Sequence, residues 1–177
     1  YEASVAALED DDLLTAWRTA NAAHLMKPRD VEILRALRNA AEQIGHPRAL
    51  EWSLELTKHS KATAEDRLRL TRLAILHGKR KLAEREMEKY ERDLGGDTME
   101  AGVLRLLLTS SRGRGAKPEA LAQARSLLSR GSTSLEVHQV YWALCLDPLD
   151  PALASEGLAH LRQYVSRKDE LGREALR

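Results

Sequence analysis

Residues 65–94 read EDRLRLTRLAILHGKRKLAEREMEKYERDL and contain two helical patterns joined by one break. In each half, apolar side chains recur at three- and four-residue intervals, which places them on one face of an α-helix. The break at 77–79 contains Gly78, which can end a helix in the left-handed conformation without a Cβ penalty. A connection this short predicts an antiparallel helix pair. Its apolar faces are wider than two helices can cover on each other, so the pair needs neighbouring helices.

A spacing found in the second half of this pair recurs along the chain. Ala83 is a small residue followed by apolar residues four and seven positions later, Met87 and Tyr90. The small residues that open the other copies are Ala16, Ala49, Ala120 and Gly157. Successive openings lie 33, 34, 37 and 37 residues apart, and the two longer intervals contain the loop insertions 112–115 and 147–151. The sequence is therefore periodic, with one helix pair in each period.

A helix pair repeated about every 34 residues resembles the tetratricopeptide repeat family. The small residue that opens each second helix is the most diagnostic position of that family, because two helices cross closely there. In the first helices, the position of the family's usual aromatic residue holds Leu34, Leu104 or Tyr141, so two of the three depart from the family pattern. The resemblance implies an all-α fold, a right-handed α-solenoid of antiparallel helix pairs with about five repeats.

We predict that residues 1–177 form a single tetratricopeptide-like repeat domain. Its predicted repeats are approximately 1–27, 28–62, 63–96, 97–132 and 133–167, followed by a C-terminal capping helix at 168–177. The acidic run at 9–12 is predicted to cap the helix that follows it, because carboxylates favour the free amides at a helix N-terminus. The chain begins inside what reads as the end of a helix, so we interpret it as a piece of a longer protein.

The composition supports a helical protein and excludes some classes of function. Phenylalanine is absent and aromatic residues make up 4%, which argues against a β-rich fold. The net charge of +1 favours no particular partner, and the single cysteine excludes an internal disulfide framework. No apolar run approaches the roughly 18 residues of a membrane span, so we predict no membrane partner. The compartment stays open between the cytoplasm and, in a bacterium, the periplasm.

The sequence contains no motif for catalysis, and we predict that the chain is not an enzyme and uses no cofactor. Gly78 and Lys79 are followed by Arg80 where a phosphate-binding loop needs Ser or Thr. The six histidines never fall at the four-residue spacing of a helical zinc pair, so no metal site is predicted. Cys145 lies on an apolar helical face and is predicted to be a small buried side chain, not a nucleophile.

The resemblance also implies where a partner binds. In tetratricopeptide proteins the first helix of each pair lines a concave groove that holds extended peptides or partner helices. Carried over by position, the groove residues are Arg35, Asn39, Arg72, Arg105 and Trp142. Arg35 and Asn39 resemble the first half of a clamp that grips a C-terminal carboxylate, but Gly102 and Leu106 stand where its second half needs basic residues. Of Tyr141 and Trp142, only one is expected to point into the core, and the other to reach the groove.

We therefore predict a scaffold module that binds an extended, acidic peptide or helix of a partner protein. Residues 58–92 contain eleven Lys and Arg against six Asp and Glu, which fits an anion-attracting surface or a solvated face with internal ion pairs. Two alternatives stay open. One is a nucleic-acid-binding solenoid that uses 58–92 and 112–117, although no aromatic side chains interleave with these charges. The other is a regulatory domain of an enzyme whose catalytic part lies outside this sequence.

Overall fold

All regular secondary structure in the described part of the chain is helical. The computed structural model describes residues 12–94, 97–146, 150–165 and 170–175. These residues form ten α-helices and one short 3-10 helix, with no β-strand among them. They belong to two compact units, an N-terminal unit within Tyr1–Gly95 and a C-terminal unit within Gly96–Arg177. The prediction of an all-α fold is confirmed for the described residues.

The N-terminal unit contains five helices that pack in chain order. They are α1 Leu13–Met26, α2 Val31–Gln43, α3 Ala49–Leu56, α4 Ala64–Leu76 and α5 Arg80–Leu94. Each helix packs against the one that precedes it and the one that follows it in this unit. Asp12, the last residue of the acidic run, accepts a hydrogen bond from the backbone N–H of Thr15 and so caps α1 as predicted. Residues 9–11 lie outside the described residues.

The C-terminal unit contains the other five α-helices. They are α6 Met99–Ser110, α7 Lys117–Ser129, α8 Leu135–Cys145, α9 Pro151–Arg162 and α10 Glu170–Ala175, with the 3-10 helix Arg114–Ala116 before α7. Helices α6 to α9 pack in order, and α8 also contacts α6 and α10. Packing between neighbours in order, together with contact between alternate helices, is consistent with a helical repeat. None of the described helices in either unit is long and apolar enough to cross a membrane.

The turn at 77–79 is the predicted connection of an antiparallel helix pair. Helix α4 ends at Leu76, and Gly78 has a φ of +65°, in the left-handed region. Gly78 donates its N–H to the carbonyl of Ile75, and Lys79 donates to the carbonyl of Ala74 at 2.7 Å. This pair of bonds satisfies the last carbonyls of the helix. The same bonding pattern closes α2 around Gly45 and α7 around Gly131, so three helices end in the same way.

The five small residues that open the sequence repeats are all buried. Ala16, Ala83 and Ala120 have no exposed surface, and Ala49 is 2% exposed. At Gly157, helices α9 and α8 lie so close together that an added Cβ would be 2.5 Å from the Cβ of Cys145 on α8. Small side chains at these positions let adjacent helices approach closely.

Both aromatic residues in the middle of α8 are buried. Tyr141 is 3% exposed and Trp142 is 5% exposed. The expectation that only one of them lies in the core is wrong, because α8 is packed by α6, α7, α9 and α10 on several sides. Consecutive residues such as Tyr141 and Trp142 point about 100° apart around the helix axis, and with neighbours on several sides both side chains contact another helix. Cys145 is also fully buried, which confirms its predicted place in the core.

Candidate functional site

The five predicted groove residues fall in both units. Arg35 and Asn39 lie on α2 and Arg72 on α4, all in the N-terminal unit, while Arg105 lies on α6 and Trp142 on α8 of the C-terminal unit. The surroundings of these side chains decide which of them a partner could reach.

Arg35 is held by a buried carboxylate at the start of α4. Its Nη2 donates to Oδ2 of Asp66 at 2.8 Å, and its Nε donates to the same oxygen at 3.1 Å. Arg38, one turn along α2, donates from Nη1 to Oδ1 of Asp66 at 2.8 Å. Asp66 is 2% exposed and Arg38 is 3% exposed, so their ion pair is shielded from water. We call Arg35, Arg38, Thr63 and Asp66 the Asp66 network.

The Asp66 network joins helix α2 to the beginning of α4. Thr63 and Asp66 form a capping box, in which each side chain accepts from the other residue's backbone N–H. Burial opposes ionisation of Asp66, but hydrogen bonds from Arg35, the Thr63 backbone and Arg38 outweigh it and hold the pKa of that carboxyl well below its usual range. The carboxylate is therefore ionised and saturated with donors at neutral pH.

Asn39 is engaged by two other arginines. Its Oδ1 accepts from Nη2 of Arg38 at 2.9 Å and from Nη1 of Arg69 at 3.1 Å. Arg69 also forms ion pairs with Glu65 at 3.0 Å and with Glu42 at 3.5 Å. Burial raises the pKa of Glu42, which the charges of Arg38, Arg69 and Arg72 oppose. A partner that binds Arg35 or Asn39 has to replace the hydrogen bonds that these side chains make within the unit. Binding of a partner by these residues stays a prediction.

Part of the basic excess in 58–92 neutralises a second buried carboxylate. Glu86 on α5 is 2% exposed. Arg67 from α4 donates to it at 3.3 Å, and Arg85 and Lys89 from α5 donate at 3.2 and 2.9 Å. Three cations thus surround one carboxylate within the N-terminal unit. The count of basic residues alone therefore overstates the charge that this surface presents to a partner.

The C-terminal unit has an open cleft between the two helices of one pair. We call it the α6–α7 cleft, and it has a volume of about 340 Å³. Its lining residues are Asp97, Gly102, Arg105, Ala122, Gln123, Ser126, Leu127 and Arg130. Gly102 forms part of its apolar floor, where an added Cβ would lie 2.7 Å from Cδ2 of Leu127.

Two arginines in the α6–α7 cleft share one carboxylate. Arg105 donates from Nη1 to Oδ1 of Asp97 at 3.4 Å, and Arg130 donates from Nη1 to Oδ2 at 3.3 Å. Charge-assisted hydrogen bonds are usually about 2.7–2.9 Å long, so these contacts are loose. The side chain of Asp97 is 69% exposed, and those of Arg105 and Arg130 are 33% and 39% exposed. The arrangement can present two guanidinium groups to an anion from solution.

The sequence reasoning identified Arg105 but missed Arg130, Arg38 and Asp66. Arg130 follows the end of α7, a second helix, whereas the resemblance directed attention to first helices. A basic residue after the last turn of a helix was the signal available for it. Arg38 stands four residues after Leu34, which places a charge on the apolar face of α2. A charge in that position indicates a buried partner.

Trp142 is bound inside the C-terminal unit. Its Nε1 donates to Nδ1 of His160 at 2.9 Å, and the His160 ring stacks on His138 with 5.3 Å between ring centroids. The ring of Tyr164 packs edge-on against His138 at 4.7 Å. With 5% of its surface exposed, Trp142 has little area left for a partner.

Acidification from about pH 7.5 to about pH 5 is expected to lower the stability of the wild-type protein by more than it lowers the stability of the His160→Gln variant. Burial lowers the pKa of His160 below its ordinary value of 6.5. As the pH falls, the His160 imidazole is therefore protonated in the unfolded chain before it is protonated in the folded protein. The contribution of neutral His160 to stability is present above about pH 6.5 and is lost as the pH falls toward the folded pKa. Urea midpoints of both proteins at both pH values check this. Equal acid sensitivity would show that His160 does not contribute.

The described residues also bear on catalytic chemistry. Among residues 12–94, 97–146, 150–165 and 170–175, no group of three or more His, Cys, Asp or Glu side chains is placed to hold a metal ion. Burial raises the pKa of the Cys145 thiol, which disfavours the reactive thiolate. The cysteine thus behaves as a core side chain.

The tetratricopeptide resemblance stays a prediction drawn from the spacing and the burial of the small residues. No protein-family model matches the chain, and no curated protein matches it in sequence.

Proposed function

We propose that the chain is a scaffold module that binds an extended, acidic segment of a partner protein and performs no catalysis. In this proposal its helix pairs stack as a right-handed α-solenoid of about five repeats. The observation that carries the proposal is the α6–α7 cleft, where Arg105 and Arg130 converge on an exposed carboxylate from the two sides of one helix pair.

The repeat architecture is supported by features that recur along the chain. The small residues at intervals of 33 to 37 are buried, and the turns around Gly45 and Gly78, which end the first helix of two successive pairs, use the same two backbone bonds. A repeated helix pair that cannot cover its own apolar face stacks on the next pair. The handedness and the continuation of the stack through both units belong to the proposal.

An acidic partner is supported by the chemistry of the cleft. Guanidinium groups donate two parallel hydrogen bonds to a carboxylate, which an ammonium group cannot do. Arg105 and Arg130 remain partly exposed, so a carboxylate from solution can approach them. An extended segment fits better than a folded domain, because a preformed cleft of about 340 Å³ accommodates a few side chains.

The other predicted groove residues have different parts in this proposal. Arg35, Asn39 and Arg72 supply secondary contacts, since none of them is fully buried. Trp142 takes no part, because it is 5% exposed. Arg35 is unsuitable for charge reversal, since a glutamate there would face the buried Asp66 and endanger the fold. Variants of Arg105 and Arg130 avoid this complication.

Selection from a library of short random peptides tests the proposal. The whole chain is expected to enrich peptides rich in Asp and Glu, and the double variant Arg105→Gln with Arg130→Gln is expected to lose that enrichment. The matched control is Arg112→Gln with Arg114→Gln, which removes the same charge from the loop before α7. Random single-stranded RNA at about 0.15 M salt is the comparison ligand. Enrichment without acidic residues, or tight RNA binding with no selected peptide, would contradict an acidic protein partner.

A further inference from the structure

We propose that Asp97 is an internal competitor that occupies the position of a partner carboxylate in the α6–α7 cleft and leaves when an acidic segment binds. This inference rests on the proposed function and names the ligand group: the side-chain carboxylate of an Asp or Glu residue. The argument depends on where Asp97 lies, on what holds it there and on what its departure leaves behind.

The geometry of Asp97 defines a carboxylate position between the two arginines. Its Oδ1 lies 3.4 Å from Nη1 of Arg105, and its Oδ2 lies 3.3 Å from Nη1 of Arg130. Oδ1 also accepts from Nη1 of Arg130 at 3.5 Å, so the carboxylate lies between the two guanidinium groups and contacts both. A carboxylate from another chain placed at the same point would meet the same two donors without any movement of the helices.

Asp97 is not needed to start helix α6. The N-cap of α6 is Thr98, whose side chain accepts a hydrogen bond from the backbone N–H of Ala101 at 3.1 Å. Withdrawal of the Asp97 carboxylate therefore leaves the cap in place. Since the side chain is 69% exposed and its contacts are 3.3 Å or longer, it can turn into solvent without opening the core.

Arg130 is held independently of the carboxylate. Its Nη2 donates to the backbone carbonyl of Asp97 at 3.3 Å, a bond that survives when the side chain turns away. The guanidinium group thus stays close to the cleft for an incoming carboxylate. This preorganisation reduces the entropy that binding would otherwise lose.

The surroundings favour a carboxylate on a short, partly apolar segment. Gly102, Ala122 and Leu127 provide an apolar surface beside the two arginines. A Glu or Asp side chain with small apolar neighbours satisfies both parts of the cleft. A phosphoryl group shares the charge but gains less from the apolar surface, and the experiment separates the two ligands.

Removal of an internal competitor is expected to strengthen binding, which is the opposite of what loss of a structural ion pair would do. Only protein molecules whose Asp97 carboxylate has left the arginines can bind a partner carboxylate. The apparent Kd therefore equals the intrinsic Kd divided by the fraction of such molecules. If Asp97 occupies the arginines for most of the time, Asp97→Asn should lower the Kd about fivefold.

The test is a titration of the whole chain with a fluorescent peptide of alternating Glu and Ala residues. Asp97→Asn is expected to bind it about fivefold more tightly than wild type. Glu100→Gln is the matched control, because it removes the same charge from the first turn of α6 at a residue that does not line the cleft. It should change the Kd by less than about twofold. Asp97→Ser provides a second variant if the asparagine variant folds poorly.

The outcomes distinguish this inference from the proposed function. If wild type binds the peptide but Asp97→Asn binds no more tightly than Glu100→Gln, the competitor role is overturned and the proposed function stands. Weaker binding by Asp97→Asn would show that Asp97 positions the arginines and would also overturn it. If neither wild type nor Asp97→Asn binds, both proposals fail. Displacement of the peptide by inorganic phosphate at lower concentration than by acetate would overturn the carboxylate assignment.

Discussion

Asp66→Ala is expected to lower the free energy of unfolding by about 3–5 kcal/mol. The substitution leaves Arg38 as a cation that is 3% exposed and has lost its carboxylate partner. It also removes the acceptor for Nε and Nη2 of Arg35 and for the backbone N–H of Thr63. Removal of one member of a buried ion pair is costly because the remaining charge stays desolvated. Urea unfolding at neutral pH measures the change.

An exposed ion pair in the same unit provides the control for Asp66→Ala. Asp93 lies 4.0 Å from Arg67 and its side chain is 50% exposed, so Asp93→Ala is expected to cost less than about 1 kcal/mol. If Asp66→Ala were as mild as Asp93→Ala, the network would not join α2 to α4 in solution. A double variant, Asp66→Leu with Arg38→Met, should recover part of the loss because it leaves no unpaired buried charge.

Ala83→Trp is expected to destabilise the protein by about 3 kcal/mol or more. Ala83 has no exposed surface and lies on α5, which packs against α4. An indole in that space has to displace backbone or neighbouring core side chains, because protein interiors have few voids of its size. Thermal or urea unfolding detects the loss, and incomplete folding at 25 °C is an equally expected form of it.

Ala22→Trp is the matched control for this substitution. Ala22 is exposed on α1 of the same unit, so the indole can extend into solvent and the stability should change by less than about 1 kcal/mol. A stability of Ala83→Trp close to that of Ala22→Trp would contradict a close helix crossing at Ala83. The repeat register built on that position would then be wrong.

The helices and their turns could be predicted because their signals are local. In the stretch 65–94, the apolar spacing and Gly78 were enough to locate both helices of the pair and the break between them. The small residue at Ala83 and its equivalents indicated close crossings, and these positions are buried. Periodicity and glycine conformation depend on a few neighbouring residues, which the sequence displays directly.

The contacts between helices could not be predicted in the same way. Whether Arg35 reaches Asp66 depends on the axial register of α2 against α4, which neither helical pattern contains. Trp142 was misjudged for a related reason, because the number of helices around α8 is a property of the unit and not of the α8 sequence. Sequence periodicity identifies one buried face and does not reveal a second neighbour.

The candidate site was predicted in part. Arg105 was expected to bind an anion because of its position on a first helix, and it lies in the α6–α7 cleft. Its companion Arg130 is 25 residues later in the chain and becomes a neighbour only when α7 folds back antiparallel to α6. Asp97, which both arginines contact, lies just before α6. The N-cap of that helix is Thr98, so the side chain of Asp97 is available to the cleft.

Two titrations of the whole chain at about 0.15 M salt test the proposed recognition of acidic segments most directly. One uses the peptide of alternating Glu and Ala residues, and the other uses the same peptide with every Glu replaced by Gln. We expect the acidic peptide to bind at least about tenfold more tightly, which corresponds to about 1.4 kcal/mol, and the difference to disappear in Arg105→Gln with Arg130→Gln. Equal affinity for the two peptides, or a preference for the acidic one that survives the double substitution, would contradict recognition by these arginines.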